Sequence, residues 1–217
     1  MHPFFVSCAG AALGTAVGVL LWPMALRLVN GTAESKENWR CAACAVLTGA
    51  LSAATLSQQA AFPAGALALS ALWTAEFHAL TDLADGYIYD RAVIVSFCAA
   101  LILRSFDGLR SMILEIALGA GAGWTPVALI IVLSRGGMGW GDASMMAGIG
   151  ALIGWKLALL SLYVGFIVGG IAALLMLLMG RVRRSDAVPL APFLAFGTAL
   201  ALIFGRPLFS LLGLHLS

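Results

Sequence analysis

Residues 157–180 read LALLSLYVGFIVGGIAALLMLLMG, an apolar segment of 24 residues without a charged side chain. About 20 apolar residues in a helix are enough to cross the hydrocarbon core of a bilayer. The whole chain has the same character, because 62% of its 217 residues are hydrophobic and 10% are charged, against about 25% charged in soluble domains. With a mean hydropathy of +1.02, the sequence is that of a membrane protein.

Seven further apolar segments qualify as membrane spans or nearly so. The eight lie at about 4–27, 41–58, 62–81, 91–104, 112–133, 143–155, 157–180 and 189–212. The fourth and sixth are short, and dividing 143–180 differently would leave seven. We predict an all-α membrane protein, a polytopic bundle of about eight transmembrane helices (six to eight), with residues 1–217 forming a single transmembrane domain.

The distribution of charge predicts the orientation and excludes one class of partner. The net charge of +2 and the lack of a basic patch interleaved with aromatic residues lead us to expect membrane lipid, and no nucleic acid, as a partner.

The N-terminal stretch MHPFFVSCAGAALG has no basic n-region and is interpreted as a retained first helix. With eight spans and an outside N-terminus, one face holds Arg27, Lys36, Arg40, Arg91, Arg135, Arg181, Arg183 and Arg184, and the other holds Arg104, Arg110, Lys156 and Arg206. The positive-inside rule makes the first face cytoplasmic.

Small residues and cysteines are interpreted as structural. GxxxG spacings at 14/18, 119/123, 150/154 and 165/169 predict close helix packing. The four cysteines include one CAAC pair, Cys41 and Cys44, at a helix start. A structural zinc site needs about four ligands, so we expect no metal here.

Asp142 is the first candidate for chemistry. Ionisable groups at membrane depth are costly and are therefore candidates for function. Asp142 follows Gly139-Trp140-Gly141, and glycines permit unusual backbone conformations and close approach of another chain. The alternative is that Asp142 is merely the N-cap of the sixth helix.

Asp82 is the second candidate, in the stretch TDLADGYIYDR at residues 81–91. It lies at the predicted membrane edge, while Asp85 and Asp90 flank a turn at Asp85-Gly86 and are interpreted as solvated. Asp82 and Asp142 would then be two carboxylates, far apart in sequence, on the same cytoplasmic rim. Two neighbouring carboxylates cannot both ionise readily, so such a pair would share a proton.

These stretches resemble the type IV prepilin peptidases, the GxGD family of intramembrane aspartic proteases. GMGWGD at 137–142 is similar to the family's GxGD motif, and Asp82 with Ile88 and Asp90 is similar to its first aspartate motif. VPLAPFLAFG at 188–197 resembles its Pro-Phe-Gly-Pro-Phe-Leu-Ala segment, and residues 14–27 resemble its first helix. The resemblance implies Asp82 and Asp142 as catalytic residues and Gly139 and Gly141 as the active-site loop.

The resemblance also implies the substrate, the cellular location and the cofactor. The substrate is a prepilin or pseudopilin with a short basic leader and an apolar N-terminal helix, cut at the cytoplasmic face of the cell membrane, and peptidase activity needs no cofactor. Bifunctional members carry a cytoplasmic zinc domain between the first two helices, where this chain has only residues 28–40. S-adenosylmethionine is therefore implied only if methylation is retained.

Other departures and other classes of function stay open. Tyr89 stands where the family usually has proline, and Ala143-Ser144 where it has Val-Lys. Three polar residues, Glu76, His78 and Glu115, have no assigned role; for His78 we favour a satisfied contact between helices over a role behind Asp82. The alternatives are a transporter or ion pathway using buried acids, and a non-catalytic family member acting in pilus or secretion assembly.

Overall fold

A computed structural model describes residues 3–30, 38–58, 62–105, 108–134, 138–180 and 188–211. These residues form eight α-helices. They are α1 (Pro3–Asn30), α2 (Asn38–Gln58), α3 (Ala64–Asp85), α4 (Asp90–Arg104), α5 (Leu109–Leu133), α6 (Trp140–Ile153), α7 (Trp155–Leu178) and α8 (Ala191–Leu211). The prediction of an all-α polytopic bundle is confirmed.

Five of these helices, α1, α2, α5, α7 and α8, are long and apolar enough to cross a membrane, and the protein is a multi-pass membrane protein. The short α6 is distinct from α7 because the chain turns at Gly154, which has φ +80°. Residues 143–180 therefore contain two helices, as in the eight-segment division. At 14 residues, α6 is only about 21 Å long.

Helix α6 is the centre of the bundle. It packs against α3, α4, α5 and α7, and most of its side chains are inaccessible. Met145, Met146, Ile149 and Leu152 are each 0% exposed. A helix that is apolar on all sides is stable only when it is enclosed by others, so the bundle is built around the helix that begins beside Asp142.

Close contact between α5 and α6 depends on glycine. A Cβ added at Gly119 would collide with the carbonyl of Gly150, and one added at Gly123 with the carbonyl of Met146. The other predicted GxxxG pairs also lie at interfaces: Gly14 and Gly18 face α2, and Gly165 and Gly169 face α8. The packing interpretation of all four spacings agrees with these contacts.

Candidate active site

Asp82 lies in the last turn of α3, half-buried beneath the start of α8. The helix extends three residues past Asp82 and ends at Gly86, whose left-handed φ of +71° allows its N–H to bond the Asp82 carbonyl. The Asp82 side chain accepts a hydrogen bond from the backbone N–H of Ala191, with 3.0 Å between N and Oδ2. This bond joins the first aspartate stretch to the start of the segment at 188–197.

Asp142 lies in the first turn of α6 and is 8% exposed. The N-cap of α6 is Gly139, with φ −77° and ψ 140°. The alternative interpretation of Asp142 as the N-cap is therefore wrong, because Asp142 already has helical backbone geometry three residues further on. Asp142 is part of the enclosed helix, so the packing of α6 fixes where its carboxylate lies.

Burial and mutual repulsion act on the two carboxyl groups. The pKa of Asp142 is raised to about 7; burial is the largest cause, the negative charge of Asp82 is the second, and a backbone hydrogen bond at Gly139 acts in the opposite direction. Burial also raises the pKa of Asp82, while the hydrogen bond from Ala191 lowers it. The structure therefore brings the two predicted catalytic residues close enough for one charge to affect the other.

Gly139 and Gly141, the predicted active-site loop, differ in whether the structure leaves room for a side chain. Gly139 has a backbone conformation that any residue adopts, and a Cβ there would first meet Asp142 Oδ2 at 3.7 Å. A Cβ at Gly141 would lie 2.9 Å from Cβ of Ile88. The expectation of an unusual backbone conformation is wrong for Gly139, whereas close approach of another segment holds for Gly141. Residues 135–137, which include the glycines before Met138, lie outside the described part of the chain.

The loop between α3 and α4 connects the two aspartate stretches. Ile88 is buried against Gly141, while Tyr87 is exposed and Tyr89 half-buried. Asp85 accepts hydrogen bonds from the Tyr87 N–H at 3.1 Å and from the Tyr89 hydroxyl at 2.9 Å. Asp85 and Asp90 are exposed, in agreement with their interpretation as solvated residues beside a turn.

The contact of Ala191 with Asp82 was missed by reasoning from the sequence. The segment at 188–197 resembles a family pattern, but that resemblance does not predict that the segment contacts either aspartate. Its two prolines, Pro189 and Pro192, were the available indication, because proline is favoured near a helix start. A helix N-terminus presents unpaired N–H groups and a partial positive charge, so it stabilises a nearby carboxylate.

Glu115 has a partner at the opposite end of α6. Arg104 is 8% exposed and donates hydrogen bonds of 3.0 Å from Nε to the Ala151 carbonyl and from Nη2 to the Leu152 carbonyl. Its Nη1 is 3.7 Å from Oε2 of Glu115. Arg104 therefore caps the C-terminus of α6, and Glu115 belongs to that cap. The sequence placed Arg104 only in a count of loop charges.

Glu76 and His78 both lie on α3. The carboxylate of Glu76 is buried beside the Thr48 hydroxyl of α2, whereas both ring nitrogens of His78 are buried without a hydrogen-bond partner among the residues that the structure describes. The favoured interpretation of His78 as a satisfied polar contact is therefore wrong. His78 is 0% exposed and precedes Asp82 by one helical turn.

The cysteine pair of the CAAC sequence lies in the first turns of α2. Cys41 and Cys44 are both half-buried, and the Cys41 thiol is directed at the Val19 carbonyl of α1, with 3.9 Å between Sγ and O. No cluster of three or more histidine, cysteine, aspartate or glutamate side chains arranged to hold a metal occurs among the residues that the structure describes.

One protein family matches this chain across the region that holds both aspartates. Residues 66–174 match the type IV leader peptidase family. A prepilin leader peptidase/N-methyltransferase of Burkholderia pseudomallei is 29% identical over 137 residues, which cover 61% of this chain and 44% of the relative. One of Bacillus subtilis is 32% identical over 132 residues, which cover 61% of this chain and 53% of the relative.

The chain thus spans about half the length of the relatives it matches, and no solved structure matches it. Because the family match includes half of its residues, the chain belongs to the type IV leader peptidase family.

Proposed function

We propose that this protein is an aspartic endopeptidase that removes the leader from type IV prepilins or pseudopilins, with Asp82 and Asp142 as its catalytic pair. The observation that carries the proposal is the approach of two carboxylates from distant parts of the chain: Ile88, in the loop after Asp82, is buried against Gly141 beside Asp142, and the charge of Asp82 raises the pKa of Asp142. Membership of the leader peptidase family and the names of the relatives support the choice of substrate.

The environments of the two carboxyl groups suggest different roles. Asp82 accepts the Ala191 N–H, which favours its ionised form, and Asp142 is the more deeply buried. In our mechanism Asp82 takes a proton from water, and the water oxygen bonds to the scissile carbonyl carbon while Asp142 donates its proton to the carbonyl oxygen. When this diol intermediate collapses, the C–N bond breaks, Asp82 gives its proton to the departing nitrogen, and a hydroxyl of the diol gives its proton to Asp142, so the pair again holds one proton.

The site is proposed to face the cytoplasm of a cell membrane, within a single transmembrane domain. Arginine and lysine are more numerous on the face predicted to hold the loops at 28–40, 82–90, 134–142 and 181–188. A peptide bond in a helix is shielded and already hydrogen-bonded, so the substrate is expected to be locally extended where it is cut. Residues 181–187, which carry three of the arginines counted, lie outside the described part of the chain.

The peptidase reaction is proposed to need no cofactor, since two carboxylates and water suffice for it. The relatives are also named as N-methyltransferases, so whether this protein transfers a methyl group is tested separately. Adding isotopically labelled S-adenosylmethionine to the cleavage assay tests it. Label on the mature product would extend the proposal to both activities.

Cleavage of a model prepilin by the purified protein in detergent tests the proposal. Wild type is expected to cut after the leader, and Asp82→Asn and Asp142→Asn are each expected to abolish cleavage while remaining folded. Glu115→Gln is the matched control, because it removes a carboxylate at the other end of α6 and should retain cleavage per folded molecule. Cleavage by both aspartate variants would refute the catalytic pair. A folded wild type that cuts no prepilin would refute the function, and ion flux in liposomes would then test the transporter alternative.

A further inference from the structure

A groove opens between α1 and α4, which each pack against α3. Its volume is about 830 Å³ and its lining is mostly apolar. Several of the lining side chains are small, namely Ser70 and Thr74 of α3 and Ala92, Ser96 and Ala99 of α4. Small and hydroxyl-bearing residues are what allow another helix to approach closely within a membrane.

The groove begins at the loop that also packs against the start of α6, beside Asp142. Tyr87 and Tyr89 line the groove, and Ile88 between them is buried against Gly141, next to Asp142. Residues 87–89 have no helical structure and Tyr89 is extended, so alternate side chains are directed to opposite sides. One side of this loop therefore belongs to the groove and the other to the active site.

The groove runs from this loop into the bundle over a helix-sized distance. Its lining on α4 extends from Asp90 to Ala99, a separation of about 14 Å in a helix, or roughly two and a half turns. Val95 lines it while being 64% exposed, so the groove is accessible from the side of the bundle. A membrane helix can enter it laterally, with one end at the Tyr87–Tyr89 loop.

The charge of the chain between α3 and α4 favours a basic peptide segment lying across it. The stretch from Asp82 to Arg91 carries three acidic residues, Asp82, Asp85 and Asp90, against one basic, for a formal charge of −2 when all are ionised. Arg27 lies in the last turn of α1, on the other side of the groove, so a basic segment is attracted to the 82–91 side. The groove therefore suits a chain in which a basic segment is followed directly by an apolar helix.

We propose that the groove between α1 and α4 holds the first turns of the substrate's apolar helix. The basic leader then crosses the Tyr87–Tyr89 loop, and the peptide bond to be cut lies over Asp82 and Asp142. This inference rests on the proposed function, because it uses the substrate class named there. It assigns the recognition of the helix to α1, α3 and α4, away from the catalytic carboxylates.

Site-specific photo-crosslinking tests this assignment. The photoreactive residue p-benzoylphenylalanine is placed at Val95, in the groove, or at Ile94, which is 61% exposed and outside it. The crosslinking is done in the Asp142→Asn background, which is expected to leave the prepilin uncut. Crosslinks from Val95 to the first apolar residues of the prepilin, with at least fivefold fewer from Ile94, are expected. Equal yields from the two positions, or crosslinks from Val95 to phospholipid alone, would overturn the groove assignment.

Filling the groove gives a second, kinetic test. Ala99→Leu adds bulk to the lining, whereas Cys98→Leu makes a similar change at the adjacent exposed position outside it. Ala99→Leu is expected to raise KM for an intact prepilin about tenfold with little change in kcat, and Cys98→Leu to leave both unchanged. An unchanged KM in a folded Ala99→Leu protein would refute the groove while the wild-type cleavage upheld the function. Failure of wild type to cut prepilin would instead remove the function and this inference together.

Discussion

The backbone N–H of Ala191 lies 3.0 Å from Oδ2 of Asp82 and donates a hydrogen bond to it. Ala191 is the first residue of α8, so the bond also directs the positive end of a helix at the carboxylate. Both effects favour the ionised form of Asp82 and oppose the burial that raises its pKa. The pair is therefore expected to hold one proton over a range of pH, with the charge on Asp82 and the proton on Asp142.

Substitution of Ala191 by proline tests the role of this bond. Proline lacks the N–H but is well tolerated at the first position of a helix. Its loss should raise the pKa of Asp82, so the acidic limb of the kcat/KM–pH profile for prepilin cleavage should move to higher pH. At a fixed pH on that limb, activity should fall up to about tenfold for each pH unit of displacement.

Ala191→Gly keeps the N–H and is the control for the changed side chain. It should retain the wild-type acidic limb even if its melting temperature is lower, because Ala191 is fully buried. Equal pH profiles for wild type and a folded Ala191→Pro protein would show that the bond does not govern the ionisation of the pair.

Asp142→Asn should change stability in a pH-dependent way. The pKa of Asp142 is about 7, above its ordinary value of 3.8, so the folded protein binds this proton more tightly than the unfolded chain does. The resulting stabilisation is complete below about pH 4 and is lost as the pH rises through 7. Asparagine has no proton to lose, so the variant should melt several degrees above wild type at pH 8 and close to it at pH 4; each 1 kcal/mol corresponds to about 2–4 °C.

Thermal unfolding in detergent at the two pH values measures this difference. Asp90→Asn is the matched control because it makes the same change at an exposed carboxylate, and it should alter the melting temperature little at either pH. A stabilisation by Asp142→Asn that is equal at pH 4 and pH 8 would instead indicate better packing of the amide.

Gly141 should tolerate alanine much less than Gly139 does. The added Cβ at Gly141 would be 2.9 Å from Ile88 Cβ, tighter than real contacts allow, whereas at Gly139 the first neighbour is 3.7 Å away. Such overpacking typically costs about 1–3 kcal/mol, and it would separate the α3–α4 loop from the start of α6. We expect Gly141→Ala to lower kcat/KM for prepilin by about tenfold or more and Gly139→Ala by less than about threefold.

Parallel assays of the two variants, with folding checked by thermal melts, provide the measurement. Similar activities for Gly139→Ala and Gly141→Ala would mean that the contact with Ile88 does not position Asp142. A shortened side chain at residue 88 is no rescue, because the contact is with its Cβ.

The helices could be predicted because their apolar segments follow a single rule of length and composition. All eight predicted segments overlap observed helices, and the boundary between α6 and α7 lies at Gly154, where positive φ ends one helix just before another begins. Asp82 and Asp142 were also predictable, since carboxylates are rare in such a chain and therefore conspicuous. The hydrogen-bond partner of Asp82 could not be predicted, because every residue except proline has a backbone N–H and the sequence does not show which of them, such as that of Ala191, will face a carboxylate.

The same limit explains why the N-cap alternative for Asp142 and the polar contact expected for His78 were both wrong. A carboxylate after glycines fits an N-cap as well as a first-turn position, and only the backbone angles at Gly139 distinguish the two. A histidine in an apolar helix was expected to have a partner because unpaired buried polar groups are costly, yet partners depend on which helices meet. Sequence periodicity does not determine that arrangement.

Arg104 should contribute more to stability than its ion pair with Glu115. The last carbonyls of a helix lack hydrogen-bond donors within it. Arg104 donates hydrogen bonds to two of them, those of Ala151 and Leu152, at the buried end of α6. Lysine cannot reproduce two directed donors, so Arg104→Lys should cost about 1–3 kcal/mol, or roughly 2–12 °C in melting temperature. Glu115→Gln removes only a partly exposed ion pair at 3.7 Å, typically worth about 0–1 kcal/mol. A larger loss in Glu115→Gln than in Arg104→Lys would show that charge pairing, and not the capping of α6, stabilises this end of the bundle.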